Sequence, residues 1–161
     1  MAERRVVLDT SVIVPAFFSE KAENGADLSD RAEKIYAAIS CDPEIKVYAP
    51  HTLIYEFFHV ARRRTKLESA FLEICGRFLE WRIEFVPFKD YWAENALVYI
   101  EHHRAPITDV WNLMCAMEYH AEFWISHRQA DGIVDAACEL HDHGVFLLCD
   151  CTFDAPKPAY G

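Results

Sequence analysis

The sequence lacks the features that mark secreted and membrane-spanning proteins. No stretch approaches the roughly 18 consecutive apolar residues that a membrane helix needs. Arg4 and Arg5 precede an apolar stretch, but Asp9 interrupts it and no small-residue cleavage site follows. The six cysteines show no spacing typical of a disulfide framework. These absences favour a soluble, cytoplasmic protein without membrane attachment, in which the cysteines are reduced core residues.

Basic residues are scarce relative to acidic ones. The chain has 16 Lys and Arg against 26 Asp and Glu, a net charge of −10. Non-specific binding of polyanions depends on broad basic surfaces, which such a balance does not favour. Any contact with nucleic acid is therefore expected to be local, metal-assisted or helped by a partner. The basic run 62–66 is either a phosphate contact or a solvated helix end that complements the helix dipole.

The hydrophobic pattern predicts one domain of alternating strands and helices. With 161 residues and 52% hydrophobic content, we expect a single domain over residues 1–153 and a loose C-terminal tail over 154–161. Strands separated by helices imply a mostly parallel sheet covered on both faces. Strands are predicted at 6–8, 46–49, 83–87, 123–126 and 145–148, and helices at 27–39, 51–64, 67–81, 91–103, 108–117 and 132–143.

Three acidic residues occupy positions that suggest chemistry. Asp9 closes the first predicted strand, and the carboxyl ends of parallel strands are where ligands bind in α/β folds. Glu56 lies in a predicted helix among large apolar side chains, where an unpaired charge would be costly. Asp109 follows Thr108, the predicted N-cap of another helix. Together they form a candidate site.

Each of these acids also has a purely structural interpretation. Asp9 can cap the turn that follows it. Glu56 can be a solvated helix residue that pairs with a protonated His59 three positions later. Asp109 can simply favour the positive end of its helix. The residues taken singly do not decide between the two interpretations.

Taken in succession, three segments resemble the PIN-domain nucleases. They are residues 7–11, 48–56 and 107–109, and the resemblance covers nearly the whole chain in order and spacing. Among PIN proteins, the length and single-domain layout look most similar to the VapC-type toxins of bacterial toxin–antitoxin pairs. The resemblance implies a PIN-like α/β domain, a three-layer α/β/α sandwich with a mostly parallel central sheet, and acids gathered at one end of that sheet.

The resemblance also implies an activity, a cofactor and partners. The expected function is metal-dependent hydrolysis of RNA, with Asp9, Glu56 and Asp109 as catalytic residues that hold Mg²⁺ or Mn²⁺. Because Mg²⁺ keeps several waters, a few carboxylates are sufficient to bind it. Ser11 would orient a water or a phosphate oxygen. The expected partners are the RNA substrate, a basic antitoxin and a second copy of the chain. The alternative is a PIN scaffold with weakened or lost catalysis that binds RNA or a protein.

One position departs from the family pattern. After the strand predicted at 123–126 the family usually carries a fourth acid, whereas here Ser126 is followed by His127 and Arg128. Asp131 completes the set only if the loop is irregular, since three further residues are a long detour for a short side chain. We therefore favour Arg128 at this position, where it would contact a phosphate and reduce the negative charge of the site.

This preference predicts the effect of two substitutions on metal binding. A guanidinium suits a phosphate oxygen but repels a cation, so Arg128→Asp should raise the affinity for Mn²⁺. Asp131→Ala should leave that affinity nearly unchanged. Calorimetry measures both. Weaker Mn²⁺ binding by either variant, or two Mn²⁺ ions bound to the unmodified protein, would contradict the arrangement.

Overall fold

A sheet of parallel strands forms the centre of the fold. The computed structural model describes residues 3–127 and 132–159. Within this part of the chain, five strands pair in the order β3-β2-β1-β4-β5, and every pairing is parallel. The strands are β1 (Arg4–Leu8), β2 (Ile45–Pro50), β3 (Ile83–Val86), β4 (Glu122–Ile125) and β5 (Val145–Leu147).

Helices connect the strands and cover the sheet. From β1 the chain builds outward through β2 to β3, then returns to the other side of β1 to form β4 and β5. Right-handed crossovers in these two directions place helices on opposite faces, which gives three layers. The helices are α1 (Thr10–Ile13), α2 (Leu28–Cys41), α3 (Thr52–Arg64), α4 (Glu68–Leu79), α5 (Asp90–His103), α6 (Ile107–Glu118) and α7 (Ile133–Leu140), with a 3-10 turn at Val14–Ala16. None of the described helices is long and apolar enough to cross a bilayer.

The central position of β1 follows from its sequence. Val6, Val7 and Leu8 are fully buried, because a strand covered by helices on both faces must be apolar on both sides. Trp124 of β4 and Phe57 of α3 are equally buried. The three-layer α/β fold predicted from the sequence is confirmed, with an all-parallel sheet. The carboxyl end of β1 consequently lies in the middle of one sheet edge.

Several helix boundaries differ from the prediction by one to three residues, among them the start of α6 and the end of α7. Helix α6 begins at Ile107 with Pro106 as its N-cap, so Thr108 lies inside the first turn and is not the cap. Helix α7 ends at Leu140, three residues before the predicted end at His143. The reason is that His141 adopts extended backbone angles and places its ring in the interior, where Nε2–H donates to the carbonyl of Ala121 at 2.5 Å.

The C-terminal segment expected to be loose is held against the sheet. The backbone N–H of Ala159 donates to the carbonyl of Val145 at 2.7 Å, and Pro158 forms a bridge with Phe146. The thiol of Cys138 donates to the carbonyl of Ala159. Because β5 is an edge strand with unpaired backbone groups, Pro158 and Ala159 find their partners there.

Four of the six cysteines are buried as expected, Cys138 is half-buried and one is exposed. Cys75, Cys115 and Cys151 are buried, and burial raises the pKa of each of these thiols. Cys41 is exposed on the last turn of α2. The buried positions of that helix are 28, 32, 35 and 39, and residue 41 falls outside this stripe.

The buried histidine predicts a pH-dependent stability. Burial lowers the pKa of His141 below the ordinary value of about 6.5. The hydrogen bond to Ala121 and the charge of Asp142 raise this pKa in part, whereas the charges of His143 and His120 lower it further. The neutral form is favoured in the folded state. His141 therefore contributes stability above about pH 6.5 that is lost as the pH falls through its lowered pKa.

Urea unfolding at pH 7 and pH 5 measures this loss. The free energy of unfolding should fall less on acidification in His141→Gln than in the parent, because glutamine does not titrate. The exposed His59→Gln is the matched control and should behave like the parent. Equal pH dependence in all three proteins would show that His141 does not titrate differently on folding.

Candidate active site at the carboxyl end of the sheet

The site lies where the chain reverses its direction across the sheet. Strands β1 and β4 are neighbours, and the connections that leave them run to opposite sides of the sheet. Such a switch point opens a crevice outside the carboxyl ends of the strands. Asp9 is the first residue after β1, and its backbone N–H donates to the carbonyl of Trp124 on β4 at 2.9 Å. Asp9 therefore lies at the position where folds of this kind bind their ligands.

The carboxylate of Asp9 is almost fully buried and receives three hydrogen bonds. It is 6% exposed. Its Oδ2 accepts from the backbone N–H of Ser11 at 3.0 Å and from the Ser11 hydroxyl at 2.6 Å. Its Oδ1 accepts from Nδ2 of Asn112 at 2.9 Å. The bond to the Ser11 amide makes Asp9 the N-cap of α1, so the capping interpretation and the site interpretation describe one arrangement.

Glu56 lies close enough to Asp9 to feel its charge. Its Oε2 accepts from the hydroxyl of Thr10 at 2.9 Å. Burial, followed by the negative charge of Asp9, raises the pKa of the Glu56 carboxyl, while hydrogen bonds from Thr10 and Thr108 partly oppose the rise. Glu56 is thus half-buried and hydrogen-bonded to Thr10, the residue next to Asp9. These contacts favour a site residue over a solvated helix residue that pairs with the exposed His59.

Helix α6 brings its first turn to the same place. Asp109 is half-buried in that turn. Thr108 just before it bonds to Glu56, and Asn112 three residues after it bonds to Asp9. Residues three apart share one face of a helix, so Asp109 lies on the side of α6 from which Asn112 reaches Asp9.

Two site residues were not predicted from the sequence. Thr10 donates a hydrogen bond to Glu56, and Asn112 donates one to Asp9. The signal for Asn112 was present, since it is a polar residue within an apolar stretch whose members at 110 and 113–116 are all buried. Ser11 was singled out, and its oxygen also accepts from the backbone N–H of Ser126 at 3.2 Å, which ties the start of α1 to the end of β4. Arg128 and Asp131 lie outside the described residues.

The basic run at the end of α3 serves the helix itself. Arg62, Arg63 and Arg64 form the last turn, where positive charge complements the helix dipole. Arg64 pairs with Glu20 at 2.5 Å, and the guanidinium of Arg62 lies over the ring of Phe71. The solvated helix end is the interpretation that these contacts favour.

The donor atoms of the site suit a hard divalent cation. Carboxylate oxygens are the ligands that Mg²⁺ and Mn²⁺ take in proteins. Burial and, after it, the negative charge of Asp9 raise the pKa of Glu56, and a cation would offset the part that is due to charge. In residues 3–127 and 132–159, however, no three His, Cys, Asp or Glu side chains are grouped closely enough to hold an ion. Holding one with all three acids requires Glu56 or Asp109 to turn toward Asp9.

Comparison with known proteins identifies the fold. No protein-family model matches the chain, and no curated protein matches its sequence. The chain is similar to VapBC2 from Rickettsia felis, a structure bound to a DNA fragment from its promoter, with a TM-score of 0.55 and 13% identity over 76% of this chain and 88% of that one.

Two further solved structures agree. A toxin–antitoxin complex from Klebsiella pneumoniae gives a TM-score of 0.53 and 12% identity over 78% of this chain and 88% of that one. FitAcB from Neisseria gonorrhoeae gives a TM-score of 0.54 and 16% identity over 82% of this chain and 92% of that one. Identities this low establish the fold alone. The resemblance predicted from the three acidic segments is confirmed at that level: the chain has a VapC-like PIN-domain fold.

Proposed function

We propose that this protein is an Mg²⁺- or Mn²⁺-dependent endoribonuclease and the toxin of a toxin–antitoxin pair, acting on RNA in the cytoplasm. The observation that carries the proposal is that Thr10, the residue next to Asp9, donates a hydrogen bond to Glu56 at the switch point of the sheet, so two acids lie close together there. Burial and then the charge of Asp9 raise the pKa of the Glu56 carboxyl. The fold supports the proposal, since structures that share it include a toxin–antitoxin complex.

Each residue of the site has a role in this proposal. Asp9 is the central ligand, and Asp109 and Glu56 complete the set directly or through water. A divalent cation held there would stabilise charge on the phosphate and make a water more acidic. Ser11 presents a hydroxyl beside Asp9 whose remaining lone pair can accept from a metal-bound water and so orient it. Hydrogen bonds from Thr10 and Thr108 keep the Glu56 carboxylate near Asp9, from where it can rotate toward the ion.

Replacing Asp9 by asparagine tests the proposal most simply. The amide keeps the size of the side chain but loses the charge that attracts a cation. Metal-dependent cleavage of a defined RNA panel should fall by at least about a hundredfold, as expected when a principal electrostatic stabiliser is lost. Circular dichroism should show an unchanged fold.

The matched control is Asp142→Asn, which removes the same charge from an exposed residue at the opposite edge of the sheet. It should cleave like the parent. Undiminished cleavage by a folded Asp9→Asn variant would refute the assignment of Asp9.

A second function is favoured by one observation. In the described residues the acids are not grouped into a complete metal site, which suits a PIN scaffold with weakened or lost catalysis that binds RNA or a protein. In that case the parent would bind its partner without cleaving RNA. A rise in melting temperature on adding Mn²⁺ supports the enzyme, because a ligand that binds only the folded state stabilises it.

Exposed apolar side chains support the proposed partners. Among the side chains that the structure describes, nine large hydrophobic ones are at least 44% exposed, and exposed apolar surface is a common site of contact with other proteins. They fall into two groups, Tyr55, Leu67, Leu72 and Leu79 along α3 and α4, and Phe88, Tyr91, Leu97, Val98 and Ile107 at α5 and the start of α6. The net charge of −10 suits a basic amphipathic antitoxin helix, and the exposed apolar side chains suit a second copy of the chain.

Light scattering of the purified protein tests the association. At micromolar concentration the mass should be about twice the 18.6 kDa of the chain. A small basic protein should be encoded beside its gene, and co-expression should yield a complex that weakens as salt is raised. A monomeric mass together with no such neighbouring reading frame would count against both partners.

A further inference from the structure

Asn112 is a fully buried amide whose hydrogen bonds are only partly satisfied. It is 0% exposed, and its Nδ2 donates to Oδ1 of Asp9 at 2.9 Å. Its own Oδ1 has no hydrogen-bond partner among the described residues. Leaving a buried acceptor unpaired costs about 1–3 kcal/mol, so an apolar residue would suit the interior of α6 better. The presence of asparagine therefore needs a reason outside the stability of the helix.

The contact with Asp9 supplies that reason. A carboxylate only accepts hydrogen bonds, so the amide must turn its NH₂ group toward Asp9. The opposite orientation would place two acceptor oxygens 2.9 Å apart. Asn112 thus leaves its own oxygen unpaired because its nitrogen serves Asp9.

The hydrogen bonds on Asp9 limit what its carboxylate can still bind. A carboxylate offers about four lone-pair positions. Ser11 occupies two of them on Oδ2 with its amide and its hydroxyl, and Asn112 occupies one on Oδ1. A single position on Oδ1 remains for a cation. The direction of that position is set by the Asn112 bond, since the same oxygen carries both.

We infer that Asn112 is a positioning residue that fixes how Asp9 presents Oδ1 to a divalent cation, an inference that rests on the proposed function. It acts from α6, three residues after Asp109, and adds no charge. A fourth acid here would place a second carboxylate oxygen about where Nδ2 of Asn112 now lies, 2.9 Å from Oδ1 of Asp9, and the two charges would repel. A neutral amide therefore suits a site of three acids that holds one ion.

Two substitutions of Asn112 separate positioning from packing. Asn112→Leu keeps the branched shape of the side chain but removes the donor, and the affinity for Mn²⁺ measured by calorimetry should fall about 10–100-fold, the usual effect of losing an outer partner of a metal ligand. Asn112→Asp places a second carboxylate against Asp9. Its melting temperature without metal should be below that of the parent, and Mn²⁺ should raise it by more degrees than it raises that of the parent.

The matched control is Cys115→Ala, which alters a fully buried residue on the same helix three positions further along. It should lower the melting temperature and leave the affinity for Mn²⁺ unchanged. If Asn112→Leu fails to fold, the metal-dependent melting of Asn112→Asp decides the question alone. A parent that binds Mn²⁺ while Asn112→Leu binds it equally well overturns the role of Asn112 and leaves the proposed function standing. A parent that binds no Mn²⁺ overturns both.

Discussion

Burying the carboxylate of Asp9 at the end of the central strand requires hydrogen-bond donors from more than one element. An unpaired charge in this place would cost far more than the fold could tolerate. Ser11 of α1 and Asn112 of α6 supply the donors, while the backbone N–H of Asp9 bonds to Trp124 of β4. Asp9 thus connects two helices through its side chain and two strands through its backbone at the switch point of the sheet, and every other residue of the site is placed relative to it.

The second constraint is the accumulation of negative charge beside Asp9. Glu56 is bonded by Thr10 and Thr108, yet burial and its acidic neighbour still raise its pKa. If the site were purely structural, a neutral residue in place of Glu56 would make the folded state more stable. Retaining it makes sense if a cation offsets the repulsion, and the chemistry of RNA cleavage needs that cation. The net negative charge of the chain also repels RNA and a second copy of the chain. Both approach most readily where positive charge is supplied locally.

Much of the fold could be predicted because its signals are local. Val6, Val7 and Leu8 are apolar on both faces, which identifies a covered strand, and the alternation of strands with helices predicts the parallel sheet. The position of Asp9 followed from the end of that strand. Asn112 could not be placed in the same way, because its role depends on a contact with a residue 103 positions away. The same holds for His141, whose ring ends α7 by packing on Ala121, and for Ala159, whose partner is the edge strand.

The central claim is that these residues hold a divalent cation at the carboxyl edge of the sheet, and paramagnetic broadening by Mn²⁺ tests it directly. In ¹⁵N-labelled protein, substoichiometric Mn²⁺ should broaden the amide signals of residues 9–11, 56 and 108–112 first. The exposed pair His120 and His143, whose ring nitrogens are 3.0 Å apart at the opposite end of the sheet, provides an internal comparison and should stay sharp. Broadening that begins at His120 and His143, or no selective broadening at all, would contradict the account.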